Sequence, residues 1–157
     1  MLFITTLSAA QERQPPVWPE VGRVQLEVLW FDIYEASLFA PNAKFSGFSA
    51  PLLLQVEYLR DFKAEMIVQE TDKQLKPFAS QEQRQRWLPQ LSELWPDIRQ
   101  GDQLAFEIAA DGHGHFYFNR RWLGHISEPE FVEAFVKIWL SPDGEYPALA
   151  SQLRGEQ

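Results

Sequence analysis

The sequence predicts an α+β fold, a large antiparallel β-sheet with a layer of helices on one side. Three observations carry the expectation. Apolar residues alternate with a period of two in two separate blocks. They recur at helical spacing between those blocks and again near the C-terminus. Turn-forming residues break the whole into short segments. The resulting order of strands, helices, strands and helix is that of helices covering an antiparallel sheet. A chain of 157 residues fits one domain, placed at 21–153 after a lead-in over 1–20.

Residues 11–20 are polar and carry Pro15, Pro16 and Pro19, which suits an extended lead-in. Over 21–41, Val24, Leu26, Val28 and Trp30 alternate with Gln25, Glu27 and Leu29, so two strands or one long bent strand are expected. A further strand at 52–59 starts as a continuous apolar run and then alternates, the pattern of a central strand with core on both sides at one end. Residues 61–76 are good helix formers with Phe62, Met66, Ile67 and Leu75 on one face, ended by Pro77. Ser80-Gln-Glu-Gln83 is a capping box. It opens a helix bearing Trp87, Leu91, Leu94 and Trp95, with a kink or break expected at Pro89. Strand pattern returns at 103–109. Asp111-Gly-His-Gly114 then makes a tight connection to a hairpin, 115–118 and 121–126, turning at Asn119-Arg120. Ser127-Glu-Pro-Glu130 reads as a second capping box before the stripe Phe131, Phe135, Ile138 and Trp139. A short last helix is expected at 147–153.

Twenty-two acidic against 14 basic residues give a net charge of −8. Such a chain repels a phosphate backbone, so nucleic acid is not an expected partner. Nor is there a basic stripe for anionic lipid. No segment reaches the roughly 18 apolar residues of a membrane span. The absence of cysteine excludes disulfides and thiol catalysis. Met1 to Ala10 half-matches the end of a secretory signal, with an apolar run before Ser8-Ala9-Ala10. It is read as a frayed terminus or a signal remnant, the latter placing the protein in the periplasm or outside the cell, the former in the cytoplasm.

Few residues suggest chemistry. His113, His115 and His125 are the candidates for a metal. If Asn119-Arg120 is a two-residue turn, however, His125 pairs with Gly114 and faces away from His115. No metal site is therefore expected. There is no G-x-S-x-G elbow and no phosphate-cradling glycine loop. Glu128 with Glu130 and Glu82 with Glu93 read as surface charge. Arg60, in Tyr58-Leu59-Arg60-Asp61, sits at a strand-to-helix junction. There it is either part of a cap with a surface partner or a cation at the mouth of an apolar pocket. Tyr34 is either a satisfied core tyrosine or a hydrogen-bond donor to a ligand.

Taken together, Val21-Gly-Arg23 running through Ile33-Tyr-Glu-Ala-Ser-Leu-Phe-Ala-Pro41, Val56-Glu-Tyr-Leu-Arg-Asp61, Phe116-Tyr-Phe-Asn119, Leu123-Gly-His-Ile126 and 131–143 resemble the bacterial chalcone-isomerase-like domain. The resemblance implies an open-faced β-sandwich: a large antiparallel sheet, helices on one side, and an apolar cleft between them, with Trp30, Tyr34, Tyr58 and Phe118 around it. Plant chalcone isomerases cyclise an enone with an arginine before the first long strand, a strand threonine, a helical tyrosine and asparagine, and a late-helix threonine or serine. Against that set this chain has Gly22 at the arginine position with Arg23 one step along, Tyr34 at the threonine position, and Glu133 on the late helix. It has no Tyr or Asn between Thr71 and Trp95.

The catalytic set is thus essentially missing, and no catalytic residue and no cofactor is expected. Non-catalytic relatives bind fatty acids with an arginine and a tyrosine on the carboxylate. The resemblance therefore implies a small apolar, fatty-acid-like ligand, with Arg23 or Arg60 and Tyr34 or Tyr58 as its contacts. Two alternatives stand beside it. One is an isomerase or lyase using Arg23 and Tyr34 on an enone; the other is a structural or partner-binding module with a filled cleft.

Overall fold

The computed structural model describes residues 13–156; the segment read as a frayed end or signal remnant lies outside them. Six strands form one antiparallel sheet in chain order: β1 (Glu20–Val28), β2 (Phe31–Phe39), β3 (Leu52–Tyr58), β4 (Gln103–Ile108), β5 (Gly114–Phe118) and β6 (Arg121–Ile126). Helices α1 (Ala64–Leu75) and α2 (Gln81–Leu94) connect β3 to β4, and α3 (Pro129–Leu140) and α4 (Pro147–Leu153) follow β6. This is the expected α+β architecture.

Strand alternation decides what the helices cover. Val24, Ala36, Leu38, Leu54, Val56, Leu104, Phe106 and Phe116 share one face, packed against Ile67, Leu75, Trp87, Leu91, Phe131 and Phe135. Its centre is aromatic: Phe106 lies 4.8 Å from both Phe116 and Phe135, ring centre to ring centre. The opposite face is mostly polar, with a small cluster of Leu53, Ala105 and Tyr117 under Trp18 and Phe39. The lead-in runs across it. Arg13 Nη2 donates to the Glu107 carboxylate at 3.1 and 3.2 Å, and Tyr117 Oη donates to Glu107 Oε1 at 2.6 Å. Leu53 explains the double-sided apolar start of the third strand.

Several local expectations are corrected. Helix α1 begins at Ala64 rather than 61, because Phe62 pairs with Ile98 in an isolated bridge. Asp61 is not its cap: its carboxylate accepts Gln100 N–H at 2.8 Å, while Asp97 Oδ1 accepts Ala64 N–H at 2.8 Å. Pro89 does not break α2. The unmade bond is at the exposed Gln85 carbonyl, and fully buried Trp87 and Leu91 hold the helix on either side. The Ser80 capping box forms, but Ser127 caps nothing. Glu128 is the N-cap residue of α3, and its carboxylate accepts Trp87 Nε1–H at 2.7 Å. With Pro129 at N1, the helix starts without a capping side chain.

The hairpin turn is as expected: Asn119 and Arg120 take φ of 47° and 71°, and Phe118 pairs with Arg121. A bulge at Leu123 then shifts the register, so His125 pairs with His115 and not with Gly114. The two rings share a face, 5.8 Å apart. Even so, no metal-holding group of three or more His, Cys, Asp or Glu occurs among the described residues. His115 is buried, and its Nδ1 accepts Trp122 Nε1–H at 3.1 Å.

That environment opposes a proton on His115. Burial first, and the Arg13 charge next, hold its pKa below the ordinary 6.5. The unfolded chain therefore takes up this proton at a higher pH than the folded one. Stability is lost as pH falls from about 6.5 towards the lowered folded value. His115→Gln, which keeps an acceptor but cannot titrate, is expected to flatten the pH dependence of the urea midpoint in that window. An unchanged slope contradicts the assignment.

Candidate functional site

At the β1 end of the covered face, α1 and α3 stand off the sheet. The register aligns Leu26, Tyr34 and Tyr58 across β1, β2 and β3. Tyr34 and Tyr58 meet edge to face at 6.2 Å, and Tyr58 meets Phe62 at 5.7 Å. Beside them opens a cavity of about 420 Å³, within the rough 300–1,000 Å³ range of small-molecule sites. Its wall is largely apolar, with Leu26, Ile33, Phe62, Met66, Ile67, Ile138 and Trp139 contributing. A deeper void of about 30 Å³ shares Tyr58, Ile67, Thr71 and Trp139 with it and reaches Trp95, Phe116 and Phe135.

Polar groups are few and fall into two sets. Inside are Tyr34, Tyr58, Thr71 and Trp139. Burial pushes both tyrosine hydroxyls well above their ordinary pKa, so they stay protonated and act as neutral donors. Thr71 Oγ1 already donates to the Ile67 carbonyl at 2.8 Å. The Trp139 indole N–H is directed towards Tyr34 and offsets part of its burial effect. It nevertheless makes no hydrogen bond of normal geometry among the described residues. A buried unpaired donor on a cavity wall is uncommon and invites a ligand acceptor.

At the rim are Glu70, Lys73, Gln74, Glu145 and Tyr146. Lys73 Nζ lies 3.5 Å from Glu145 Oε1, and Glu70 first, then Glu145, raise its pKa. The rim therefore carries two carboxylates for one ammonium.

Of the four residues singled out from the sequence, Tyr34 and Tyr58 come together on the cavity wall. The two arginines do not. Arg23 lies out of phase with Val24 and Leu26, and on the open face it pairs with Glu35 and with Glu20 at 2.9 Å. Arg60 is exposed, its guanidinium 4.2 Å above the Phe31 ring. Trp30 stands in the β1–β2 turn, 94% exposed, and Phe118 packs on the main core rather than the cavity. Glu133 is half-exposed and pairs with Lys137 at 3.0 Å.

The residues missed were Thr71, Lys73, Trp139, Glu145 and Tyr146. One sign of them was present: the apolar stripe of α1 is interrupted by Thr71 and Gln74 where it meets the cavity.

Gly22 bears on catalysis. A Cβ placed on it would sit 2.4 Å from the Gln152 carbonyl oxygen and 2.5 Å from that of Leu153, both backbone atoms of α4. At the position where the resemblance expects an arginine, no side chain of any kind fits.

A helix layer standing off one face of an antiparallel sheet, with an apolar cavity between, defines the chalcone isomerase type of α+β protein. The chain belongs to the chalcone isomerase-like family, whose pattern it matches over residues 25–154. It is 26% identical over 155 residues to an uncharacterized protein of Haemophilus influenzae, covering 98% of this chain and 75% of that protein. Its fold is similar to the crystal structure of a fatty-acid binding protein of Arabidopsis thaliana, with a TM-score of 0.68 over 87% of this chain and 86% of the other. At 7% identity that likeness concerns the fold. Among the described residues no helix is long and apolar enough to cross a membrane.

Proposed function

We propose that this protein is a non-catalytic binder of an acyl-chain-like apolar ligand, held between the sheet and helices α1 and α3. The observation that carries the reading is the 420 Å³ cavity, walled by aliphatic and aromatic side chains with neutral donors at Tyr34, Tyr58 and Trp139. An apolar body with a few convergent polar groups is the usual anatomy of a small-molecule site. The ligand's chain lies along the wall towards the deeper void, and its polar end lies near the rim.

Enone cyclisation is less well served. It needs a cation where enolate charge develops. Arg23 faces the other side of the sheet, Gly22 is closed by α4, and Lys73 shares the rim with two carboxylates. A filled structural cleft is disfavoured by the size of the open space.

The rim also bears on the head group. A free carboxylate approaching Lys73 meets Glu70 and must displace Glu145, whereas a neutral alcohol or ester does neither. Titration calorimetry with dodecanol and dodecanoate tests both points. Saturable one-to-one binding is expected, with the alcohol bound at least as tightly as the acid. If neither binds, the proposed function fails. If the acid binds about tenfold tighter, a 1.4 kcal/mol preference, Glu70 and Glu145 do not keep a carboxylate from the rim.

A further inference from the structure

The β1–β2 hairpin ends in the most exposed apolar stretch of the described chain. Val28, Leu29, Trp30 and Phe31 are 41%, 80%, 94% and 50% exposed. Such a turn normally carries Asn, Asp or Gly. Here Leu29 holds a left-handed φ of 59°, a conformation unfavourable for a bulky side chain. The β5–β6 hairpin of the same protein shows the ordinary solution. Its Asn119 is polar and tied down, accepting from Gln103 N–H at 2.9 Å and donating to Asp102 at 3.0 Å. The Leu29-Trp30 pair therefore costs stability in both backbone and exposure, and among the described residues neither side chain is buried.

Its position is informative. The hairpin stands at the edge of the sheet, and Val28 is itself part of the cavity wall. The apolar tip is thus continuous with the cavity mouth. Arg60 lies against the tip, over Phe31, with Glu27 and Asp32 flanking it in sequence.

We propose that this tip docks the protein on a lipid bilayer of low net charge, inserting Leu29 and Trp30 at the headgroup level and bringing the cavity mouth to the membrane. Tryptophan is favoured at that depth, where its ring is buried and its N–H remains wet. The mixed charges of Glu27, Asp32 and Arg60 suit zwitterionic headgroups. Anionic lipid is opposed by these two acids, by Glu70 and Glu145 at the rim, and by the net charge of −8. A second copy of the chain is a poorer occupant. Four residues at a turn fall far short of the roughly 20–30 residues a side that a stable interface uses. As an explanation of how an acyl ligand is collected, the inference rests on the reading of the cavity given above.

Flotation with phosphatidylcholine vesicles tests it, beside vesicles enriched in phosphatidylglycerol. Wild type is expected to float with phosphatidylcholine and less with the anionic vesicles. Leu29→Gly combined with Trp30→Asn places glycine at the left-handed position and removes both apolar side chains. This variant is expected to unfold at a higher temperature and to lose about tenfold or more of its vesicle partition. It should still bind dodecanol in free solution. No partition of wild type, equal partition of the variant, or preference for anionic vesicles overturns docking. A concentration-dependent dimer abolished by the same substitutions overturns it too, in favour of self-association. Dodecanol binding without vesicle binding sinks docking and leaves the cavity reading standing. Vesicle binding with neither dodecanol nor dodecanoate bound in free solution sinks the cavity reading alone.

Discussion

Thr71→Phe is expected to abolish ligand binding while leaving the protein folded. Thr71 is 7% exposed and borders both the 420 Å³ cavity and the deeper 30 Å³ void. A phenyl ring there occupies the space assigned to the ligand's chain. If three or four methylenes of the ligand are displaced, at about 0.8 kcal/mol each, the loss is roughly 3 kcal/mol, or about a hundredfold in affinity. The fold loses only the bond from Thr71 Oγ1 to the Ile67 carbonyl, an interaction within one helix that contributes little to stability. In return the ring buries apolar surface against Ile67 and Trp139. A melting temperature at or above wild type, with dodecanol binding gone, is the expected pair of results. Thr71→Val keeps the shape of the side chain and should keep binding. Retained affinity in Thr71→Phe would mean the ligand lies elsewhere.

The largest stability effect is expected at Gly22. Gly22→Ala puts a methyl group 2.4–2.8 Å from three backbone atoms of Gln152 and Leu153, and backbone cannot rotate aside as a side chain can. Helix α4 must lift from β1. That removes Leu153, 1% exposed, from the core and strains the bond from Gln152 Nε2 to the Arg23 carbonyl. Overpacking costs about 1–3 kcal/mol, and loss of the Leu153 contact adds roughly 1.5–3 kcal/mol. At about 2–4 °C per kcal/mol for a chain of this size, a fall in melting temperature of roughly 10 °C is expected. Gly22→Arg should fare worse and gain no isomerase activity. A thermal scan decides it: an unchanged melting temperature for Gly22→Ala would show that α4 is not seated on β1 as described.

These contacts separate what a sequence displays from what it hides. The β5–β6 turn was legible because Asn119 tolerates a positive φ, and the helix stripes were legible because Trp87, Leu91, Phe131 and Phe135 recur at helical spacing. The β1–β2 turn was not, because it is built from Leu29 and Trp30, residues that otherwise extend a strand pattern. The bulge in β6 left one sign, Gly124 within a strand. That glycine holds a φ of 156° beside the unpaired Leu123.

The site divided in the same way. Tyr34 and Tyr58 are in phase with the buried residues of their strands and belong to the cavity. Arg23 is out of phase with Val24 and Leu26, so strand alternation alone placed it on the other face. The family resemblance supplied an arginine–tyrosine pair, but local geometry did not assemble it from Arg23 or Arg60. Lys73, Glu145 and Tyr146 come from α1 and from the loop after α3, and only tertiary packing brings them to one rim.

Native mass spectrometry of the protein purified gently from cells, beside Thr71→Phe prepared identically, reads the occupancy of the cavity itself. A wild-type population carrying a single acyl-chain-containing molecule is expected, released on collisional activation and missing from the variant. A wild type that is ligand-free, and that stays so after incubation with dodecanol and dodecanoate, would rule out the binding role.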